Sequence, residues 1–354
     1  DNEDSKEKWL WKTYGRGIMD AKAKQPGRTV RFIHRVWYTG LGKIMREFGD
    51  KYPDPFEIGF KYARAHMYSS TDPAFADPLL KEMEGFDVKC WWNLRNDDIF
   101  NFRWGNPKYV RAFLGNLPPE RFTAGYHMGS DGYVWGREFT SLKPENPRLL
   151  EIEKHWYKFL LWGRLGYNLN LSTDRLKDIV YDHFPKAEDT GLFETWATVS
   201  KIIPQVNRFH WRNWDFMWAV EGCFDQRNGF HSVRDFIDNE PMEGTNILSI
   251  PEYVDMQLAG ERSRKMSPIA VADNLQEYAT VGLSFVERIQ SSVEDTDKEL
   301  RHTVADIEAM SHLGNYYASK ILGAVELHLF EKSGQEKHKN AAVKHLLQAQ
   351  EHWK

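Results

Sequence analysis

The sequence predicts an α/β protein: a (β/α)8 TIM barrel followed by an α-helical domain. Three observations lead to this. In the first half of the 354 residues, short runs rich in β-branched and aromatic residues alternate with helical segments, as parallel βα units do. Each run begins apolar and ends in charged residues or histidines, and barrels carry their functional groups at those strand ends. After residue 266, long amphipathic helices replace this pattern.

The first half opens with a predicted helix over residues 5–25, which ends at Pro26-Gly27. The predicted strands that follow are Thr29–Trp37, Phe56–Tyr68, Asp87–Leu94 and Arg121–Met128, with a helix over Pro107–Leu117 and a further strand candidate at Arg208–Trp211. A barrel needs eight strands. We therefore expect the missing strands in one of two places. Either they precede Asp1 in a longer protein, of which this chain is an N-terminally truncated excerpt, or they lie in segments whose strand pattern is indistinct.

The C-terminal part predicts three helices joined by short connections, at Pro268–Val293, Lys298–Lys332 and Glu336–Trp353. Apolar residues recur there at steps of three and four, which favours an antiparallel helical bundle. The predicted organisation is a barrel region over residues 1–187, a mixed connecting region over 188–266 that completes the barrel or its cleft, and the bundle over 267–354.

Composition excludes several classes of protein. The net charge of −4 gives no basic footprint for nucleic acid, and no apolar stretch is long enough to cross a membrane. Cys90 and Cys223 are too few for a disulfide scaffold and lie in no metal-ligand spacing. Thirteen of the fourteen tryptophans lie at or before Trp218, which indicates an aromatic-rich functional part followed by a supporting bundle.

The glycine-rich segment Tyr126–Phe139 combines His127, Asp131, Trp135, Arg137 and Glu138. Carboxylates beside aromatic rings are typical of sugar-processing sites, because burial against a ring raises a carboxyl pKa toward the acid role. The alternative is a loop whose carboxylates cap helices or pair with arginines.

A second aromatic segment, Phe209–Glu221, places Trp211, Asp215 and Trp218 at helical spacing beside His210. This arrangement predicts either the lining of a sugar cleft or an ordinary core stripe. Further tryptophans on or just after predicted strands are candidates for sugar contact: Trp91, Trp92, Trp104 and Trp135.

Cationic and histidine residues also cluster at predicted strand ends: His34, Arg35, Lys61, Arg64, His66, Arg95 and Arg137. Converging Arg and Lys side chains recognise a substrate carboxylate or sulfate. The alternative is a set of separate salt bridges with Asp97, Asp98 and Asp131. The histidines lack HxxxH or HxH spacing, and no dinucleotide, phosphate-loop or nucleophile-elbow motif occurs, so we expect neither metal nor cofactor.

The stretch His155–Phe184 contains Trp162-Gly163-Arg164-Leu165-Gly166-Tyr167-Asn168 followed by Leu171-Ser172. It resembles the helix–loop–helix after the catalytic centre of α-glucuronidases in glycoside hydrolase family 67. Asp131–Phe139 is similar to that family's Asp-Phe-Gln-x-Arg-Glu-Pro stretch, and Met310–Tyr317 is similar to its helical region. The resemblance implies a barrel glycosidase with Glu138 as general acid. Phe139 replaces the family's Pro, and only 24 residues separate Glu138 from Trp162, so the family's catalytic base is not carried over.

Together these features predict a glycoside hydrolase, α-glucuronidase-like, that acts on an acidic plant or algal polysaccharide, uronic-acid-containing or sulfated, or on its oligosaccharides. Glu138 is the expected acid, and Asp131 and Asp97 lead a pool of candidate bases that includes Asp98, Asp215 and Glu221. The residues listed above at strand ends and in the two aromatic segments are the expected substrate-binding groups. The alternatives are a non-catalytic glycan-binding protein, and a polysaccharide lyase with His127 or Tyr133 as base.

The expected partner is an oligo- or polysaccharide, with no nucleic acid and no membrane, and with a homodimer through the helical domain as the expected assembly. A polymeric substrate implies a periplasmic or extracellular location.

Overall fold

A computed structural model describes residues 3–36, 39–61, 70–72, 74–95, 102–129, 150–188, 190–211, 218–225, 228–289 and 298–353. The chain forms two compact units. Unit 1 contains Asp1–Ala63, Pro73–Asn96 and Leu117–Gly129, and unit 2 contains Arg64–Asp72, Asp97–Asn116 and Ser130–Lys354. These two units group residues that contact one another in space. They do not test the predicted domain limits at residues 187 and 266, which stay a prediction.

Unit 1 is a parallel sheet with helices. Its elements are α1 (Glu3–Leu10), a π-helical turn (Trp11–Gly15), α2 (Arg16–Lys24), β1 (Phe32–Arg35), α3 (Leu41–Glu47), β2 (Phe56–Lys61), α4 (Asp77–Met83), β3 (Cys90–Arg95) and β4 (Thr123–Gly129). The strands lie in the order β1-β2-β3-β4, and every neighbouring pair is parallel. The four predicted strands are confirmed: β1 is shorter than predicted, and β3 and β4 begin later and end one residue later. Residues 62–68 of the second predicted strand lie outside the described residues. The predicted first helix is confirmed with a π-helical interruption. Sequential parallel order is the order of barrel strands, while closure into a barrel remains a proposal.

The two faces of this sheet differ in burial because side chains alternate along each strand. On one face, Ile58, Cys90 and Trp92 have no exposed surface. A cluster of aromatic rings covers the start of that face, where Phe48 lies 4.6 Å from Phe32 between ring centroids. On the opposite face, Ile33 is 48% exposed. One face therefore belongs to the core of unit 1, and the opposite face, here called the open face, is only partly covered, with Ile33 exposed and Glu57 and Trp91 partly buried.

Unit 2 is mainly helical. Its elements are α5 (Pro107–Gly115), α6 (Glu151–Lys154), α7 (Trp156–Tyr167), α8 (Thr173–His183), α9 (Leu192–Val199), α10 (Ile202–Phe209), β5 (Trp218–Ala219), β6 (Phe224–Asp225), β7 (Gly229–Phe230), α11 (Val233–Asp238), α12 (Ile250–Ala259), α13 (Pro268–Ile289), α14 (Lys298–Ser333) and α15 (Glu336–Trp353). The short strands β5, β6 and β7 form an antiparallel sheet. The predicted helix at residues 107–117 and the helix–loop–helix in His155–Phe184 are confirmed.

The three predicted C-terminal helices are confirmed, and α14 packs against both α13 and α15. The predicted end of the first of them, at Val293, lies outside the described residues. Small residues allow these helices to approach closely. A Cβ added to Gly282 of α13 would overlap the Ser311 hydroxyl oxygen of α14, and one added to Gly323 of α14 would lie 2.8 Å from Leu346 of α15. Among the residues with described structure, no helix is long and apolar enough to span a membrane.

The strand candidate at Arg208–Trp211 is wrong. Phe209 is the last residue of α10, and the chain leaves the helix at His210. Apolar residues at Ile202, Ile203, Val206 and Phe209 follow helical spacing, and all four are buried. That longer pattern outweighs the aromatic character of its last few residues.

Candidate active site

The three predicted catalytic carboxylates, Glu138, Asp131 and Asp97, lie outside the described residues. Five predicted substrate-binding residues also lie there: Arg64, His66, Trp135, Arg137 and Asp215. The backbone of Lys61 and Arg95 is described as part of β2 and β3. The candidate site is therefore built from the four strands that carry the remaining predicted residues.

Strand register aligns several of the predicted positions. Lys61 pairs with Asn93, and Asn93 pairs with His127, so these three backbone positions form one row across β2, β3 and β4, here called the polar row. Arg95 at the end of β3 pairs with Gly129 at the end of β4. The backbone positions of Lys61, Arg95 and His127 thus lie at the same end of the sheet, and the convergence of the cationic side chains on one substrate group stays a prediction.

Two residues earlier along the strands, and therefore on the same face, Gly59, Trp91 and Gly125 are register partners, here called the tryptophan row. The glycine on the β4 side leaves room for the indole to lie across the sheet. A Cβ added to Gly125 would lie 2.8 Å from Trp91 Cζ3, so the ring rests against the β4 backbone. Gly125 has φ +157°, a value that residues with side chains rarely adopt. The β4 position beside this ring thus has no room for a side chain, whereas a Cβ at Gly59 would make only ordinary contacts, 3.7 Å from Ile33 Cγ2.

A carboxylate orients the ring of Trp91. The indole Nε1–H donates a 2.6 Å hydrogen bond to Glu57 Oε2, whose side chain is 14% exposed, and Arg31 Nε lies 3.6 Å from the same oxygen. Charge-assisted hydrogen bonds are about twice as strong as neutral ones. Glu57, Trp91 and Ile33 occupy the open face, because they alternate with the buried residues Ile58 and Trp92. This face offers a ring fixed in place beside a carboxylate.

Sequence reasoning chose Trp92 for substrate contact, and the structure places Trp92 in the core. Its ring is fully buried, and its Nε1–H donates to Thr123 Oγ1 at 2.9 Å. Trp104 is likewise buried in unit 2, donating to the Ser200 carbonyl at 2.8 Å. Neither ring can stack on a sugar from these positions. Trp91 and Trp92 lie on opposite faces of β3, and a single sequence does not show which face is covered.

His34 was also predicted to bind substrate, and the structure shows it holding α1 to the sheet. The His34 ring is 6% exposed, and Nε2 lies 3.0 Å from Oε2 of Glu7, which is itself buried. Nδ1 lies 3.1 Å from the Arg35 carbonyl oxygen. The buried face of the strand thus directs His34 into the core, while Arg35, the next residue, is exposed at the end of β1.

His210 lies inside unit 2 and is 1% exposed. Its Nε2 lies 2.7 Å from His231 Nδ1, and His231 Nε2 lies 2.8 Å from Asp225 Oδ2. Its ring stacks on Phe236 at 4.1 Å between centroids. A polymeric substrate cannot reach His210 there, so the predicted contact is corrected to an internal hydrogen-bonded chain.

The predicted helical face of Phe209–Glu221 is not found at its described ends. Trp211 lies beyond the end of α10, where its carbonyl accepts a 2.9 Å hydrogen bond from Asn239, and Trp218 begins β5. Residues 212–217 lie outside the described residues. Across the part of the chain that is described, no group of three or more His, Cys, Asp or Glu side chains has a geometry suited to a metal ion.

Comparison with known proteins gives one kind of match. No protein-family model matches the sequence, and no curated protein is significantly similar to it. Among solved structures, the chain is similar to a GH138 enzyme targeting pectin rhamnogalacturonan II, with a TM-score of 0.75 and 15% sequence identity. The match covers 95% of this chain and 41% of that chain, so this sequence spans less than half the length of that enzyme. The chain therefore shares its helix-rich α/β fold with a glycoside hydrolase from a family other than family 67.

Proposed function

We propose that this chain is part of a glycoside hydrolase that cleaves an acidic polysaccharide. The observation that carries the proposal is the tryptophan row on the open face of the sheet, two residues before the polar row on the same face. A fixed aromatic ring binds the apolar face of a sugar, and polar groups at the carboxyl ends of parallel strands are where barrel enzymes place their chemistry. The fold shared with an enzyme targeting pectin, an acidic polysaccharide, supports the same substrate class.

The catalytic assignment follows from the sequence. Glu138 is the proposed general acid, which protonates the glycosidic oxygen, and Asp131 or Asp97 is the proposed second carboxylate. Arg35, Lys61, Arg64 and Arg95 are the proposed contacts for the substrate carboxylate. The finer proposals are a (β/α)8 barrel completed by further strands, an α-glucuronidase-like specificity, a homodimer through the helical domain, and action in the periplasm or outside the cell.

The test is a glycan screen scored by released reducing sugar. It compares rhamnogalacturonan II, glucuronic-acid-substituted xylan and a neutral xylan, using this chain and the longest natural protein that contains it. We expect release from an acidic glycan only. Glu138→Gln should lower the rate by about 10²–10⁴-fold, the usual contribution of a general acid. Glu261→Gln, at an exposed position after α12, is the matched control and should leave the rate unchanged.

Three outcomes contradict the proposal. Near-normal activity of Glu138→Gln removes the assigned acid. Binding of acidic glycans by both proteins without release of sugar indicates a non-catalytic binding protein. Products that absorb in the ultraviolet as unsaturated uronides indicate a lyase.

A further inference from the structure

The start of β7 carries the only Asn-Gly step in the sequence, Asn228-Gly229. Both residues are exposed. Gly229 has φ +75°, and a Cβ placed on it would meet nothing within 4 Å, so the space around its Cα is open. Because glycine has no Cβ, its backbone nitrogen can approach the side-chain carbonyl carbon of a preceding asparagine more closely than that of any other residue. An exposed Asn-Gly step is therefore the place where this chain most readily loses a side-chain amide.

Asn228 is also the outer end of the internal hydrogen-bonded chain of unit 2. Its backbone N–H donates to Asp225 Oδ1 at 2.6 Å, and its Nδ2 donates to Asp225 Oδ2 at 3.0 Å. The same Oδ2 lies 2.8 Å from His231 Nε2, and His231 Nδ1 lies 2.7 Å from His210 Nε2. Asp225, His231 and His210 are each at most 5% exposed. One buried carboxylate thus joins an exposed asparagine to two buried histidines.

We propose that Asn228 is a site of spontaneous deamidation and that its product disturbs this buried chain. The Gly229 nitrogen gives up its proton to solvent base and forms a bond to Asn228 Cγ, while the Cγ–Nδ2 bond breaks and the leaving nitrogen takes a proton from water. Water then opens the resulting succinimide ring at one of its two carbonyl carbons, which leaves aspartate or isoaspartate at position 228. Over both steps one water is consumed and one ammonium ion is released, and nothing is oxidised or reduced.

Deamidation replaces a hydrogen-bond donor by a carboxylate at a position that faces another carboxylate. Asn228 Nδ2 lies 3.0 Å from Asp225 Oδ2, so in the aspartate product an oxygen stands where the donor stood. Two carboxylates at this separation repel each other, and one of them must move away or bind a proton. Isoaspartate also adds a methylene to the backbone, which displaces the N–H that donates to Asp225 Oδ1. Either product therefore weakens the contact of Asp225 with His231, whether or not the chain is a hydrolase.

The first test is incubation of this chain at mildly alkaline pH, followed by peptide mapping with mass spectrometry. Conversion shifts the mass of the peptide with residue 228 by the difference between an amide and an acid, and isoaspartate is detected by enzymatic methylation. Asn170, which is exposed in the turn after α7 and followed by Leu171, is the internal control. We expect at least about tenfold faster conversion at Asn228, because the leucine side chain hinders ring closure at Asn170. Conversion at Asn228 that is no faster than at Asn170 overturns the proposed modification.

The second test is Asn228→Asp, which creates one of the two products directly. It should lower the melting temperature by at least about 2 °C, as expected for about 1 kcal/mol of like-charge repulsion. Asn170→Asp adds the same charge at an exposed turn and is the matched control, with an expected change of under about 0.5 °C. In an Asp225→Asn background, Asn228→Asp should no longer lower the melting temperature, because the opposing carboxylate is absent. Equal melting temperatures of Asn228→Asp and Asn170→Asp, or an equal loss in both backgrounds, overturn the proposed effect on the buried chain.

Discussion

The tryptophan row can be tested by one added methyl group. In Gly125→Ala, the new Cβ would lie 2.8 Å from Trp91 Cζ3 and 3.3 Å from both Cε3 and Cη2. Carbon atoms in good contact lie about 3.5–4.0 Å apart, so the indole must move by roughly 0.5–1 Å. Such a shift disturbs the 2.6 Å hydrogen bond between Trp91 and Glu57. The substitution therefore reports on the fit between this ring and the strand beside it.

Two terms set the size of the effect. Inserting a methyl into a packed contact costs about 1–3 kcal/mol of unfolding free energy. A side chain held at φ +157° adds backbone strain of about 1–3 kcal/mol. We expect Gly125→Ala to destabilise the chain by about 2–6 kcal/mol. In a Trp91→Leu background all three clashing ring atoms are gone, so only the backbone term of about 1–3 kcal/mol should remain.

The assay is urea denaturation of the wild type, the two single variants and the double variant. We expect a coupling energy of about 1–3 kcal/mol between positions 91 and 125. Gly17→Ala in α2 is the control, since a Cβ there meets nothing within 4 Å and should stabilise its helix by up to about 1 kcal/mol. Effects at 91 and 125 that add within about 0.5 kcal/mol would refute the packing of the ring against β4.

Further variants test the buried contacts. His34→Ala leaves the buried carboxylate of Glu7 without its histidine partner and should lower the unfolding free energy, measured in urea, by about 2–4 kcal/mol. A loss under about 0.5 kcal/mol would contradict a structural role for His34. Burial and neighbouring cations hold the pKa of His155 in the folded chain well below 6.5. Below about pH 7 the unfolded chain therefore binds a proton that the folded chain does not. The unfolding free energy should fall as the pH is lowered further, by up to about 1.4 kcal/mol per pH unit. His155→Gln should flatten that slope, and an unchanged slope would assign it to other groups. Gly282→Ala forces a methyl into the contact of α13 with α14 and should lower the unfolding free energy by about 1–3 kcal/mol. Its control, Gly163→Ala at an exposed position of α7, should raise the unfolding free energy by up to about 1 kcal/mol. Equal melting temperatures of the two variants would contradict the close approach of α13 and α14.

The elements predicted well from sequence are those with a strong local pattern. The limits of α13, α14 and α15 follow from long apolar repeats, and β1 to β4 follow from short aliphatic and aromatic runs. The strand prediction at Arg208–Trp211 is wrong because it treats these four residues separately from α10, which ends at Phe209. No sequence pattern considered above predicts the π-helical interruption of the first helix at Trp11–Gly15. A local pattern is thus sufficient where it extends over several turns or a whole strand.

The site was predicted less well because its geometry depends on contacts distant in sequence. Alternation makes Trp91 and Trp92 equivalent until one face of the sheet is known to be covered. His34 looked like a functional residue at a strand end, and its partner Glu7 lies 27 residues earlier in a helix. The chain of Asp225, His231 and His210 unites residues up to 21 positions apart and carries no motif. Polar character at a strand end therefore identifies one edge of the sheet and does not identify which of its side chains are accessible to a substrate.

The register of the sheet connects the ring to the charged end of the strands. The tryptophan row and the polar row are two residues apart, which is about 6.6 Å along a parallel strand. That distance is comparable to one sugar unit, so a sugar stacked on Trp91 would direct its substituents toward the backbone positions of Lys61 and His127. A neutral glycan would gain the stacking contact alone, while an acidic one would also gain the charge-assisted contacts. Under the proposed function, the two-residue spacing between these rows favours an acidic substrate.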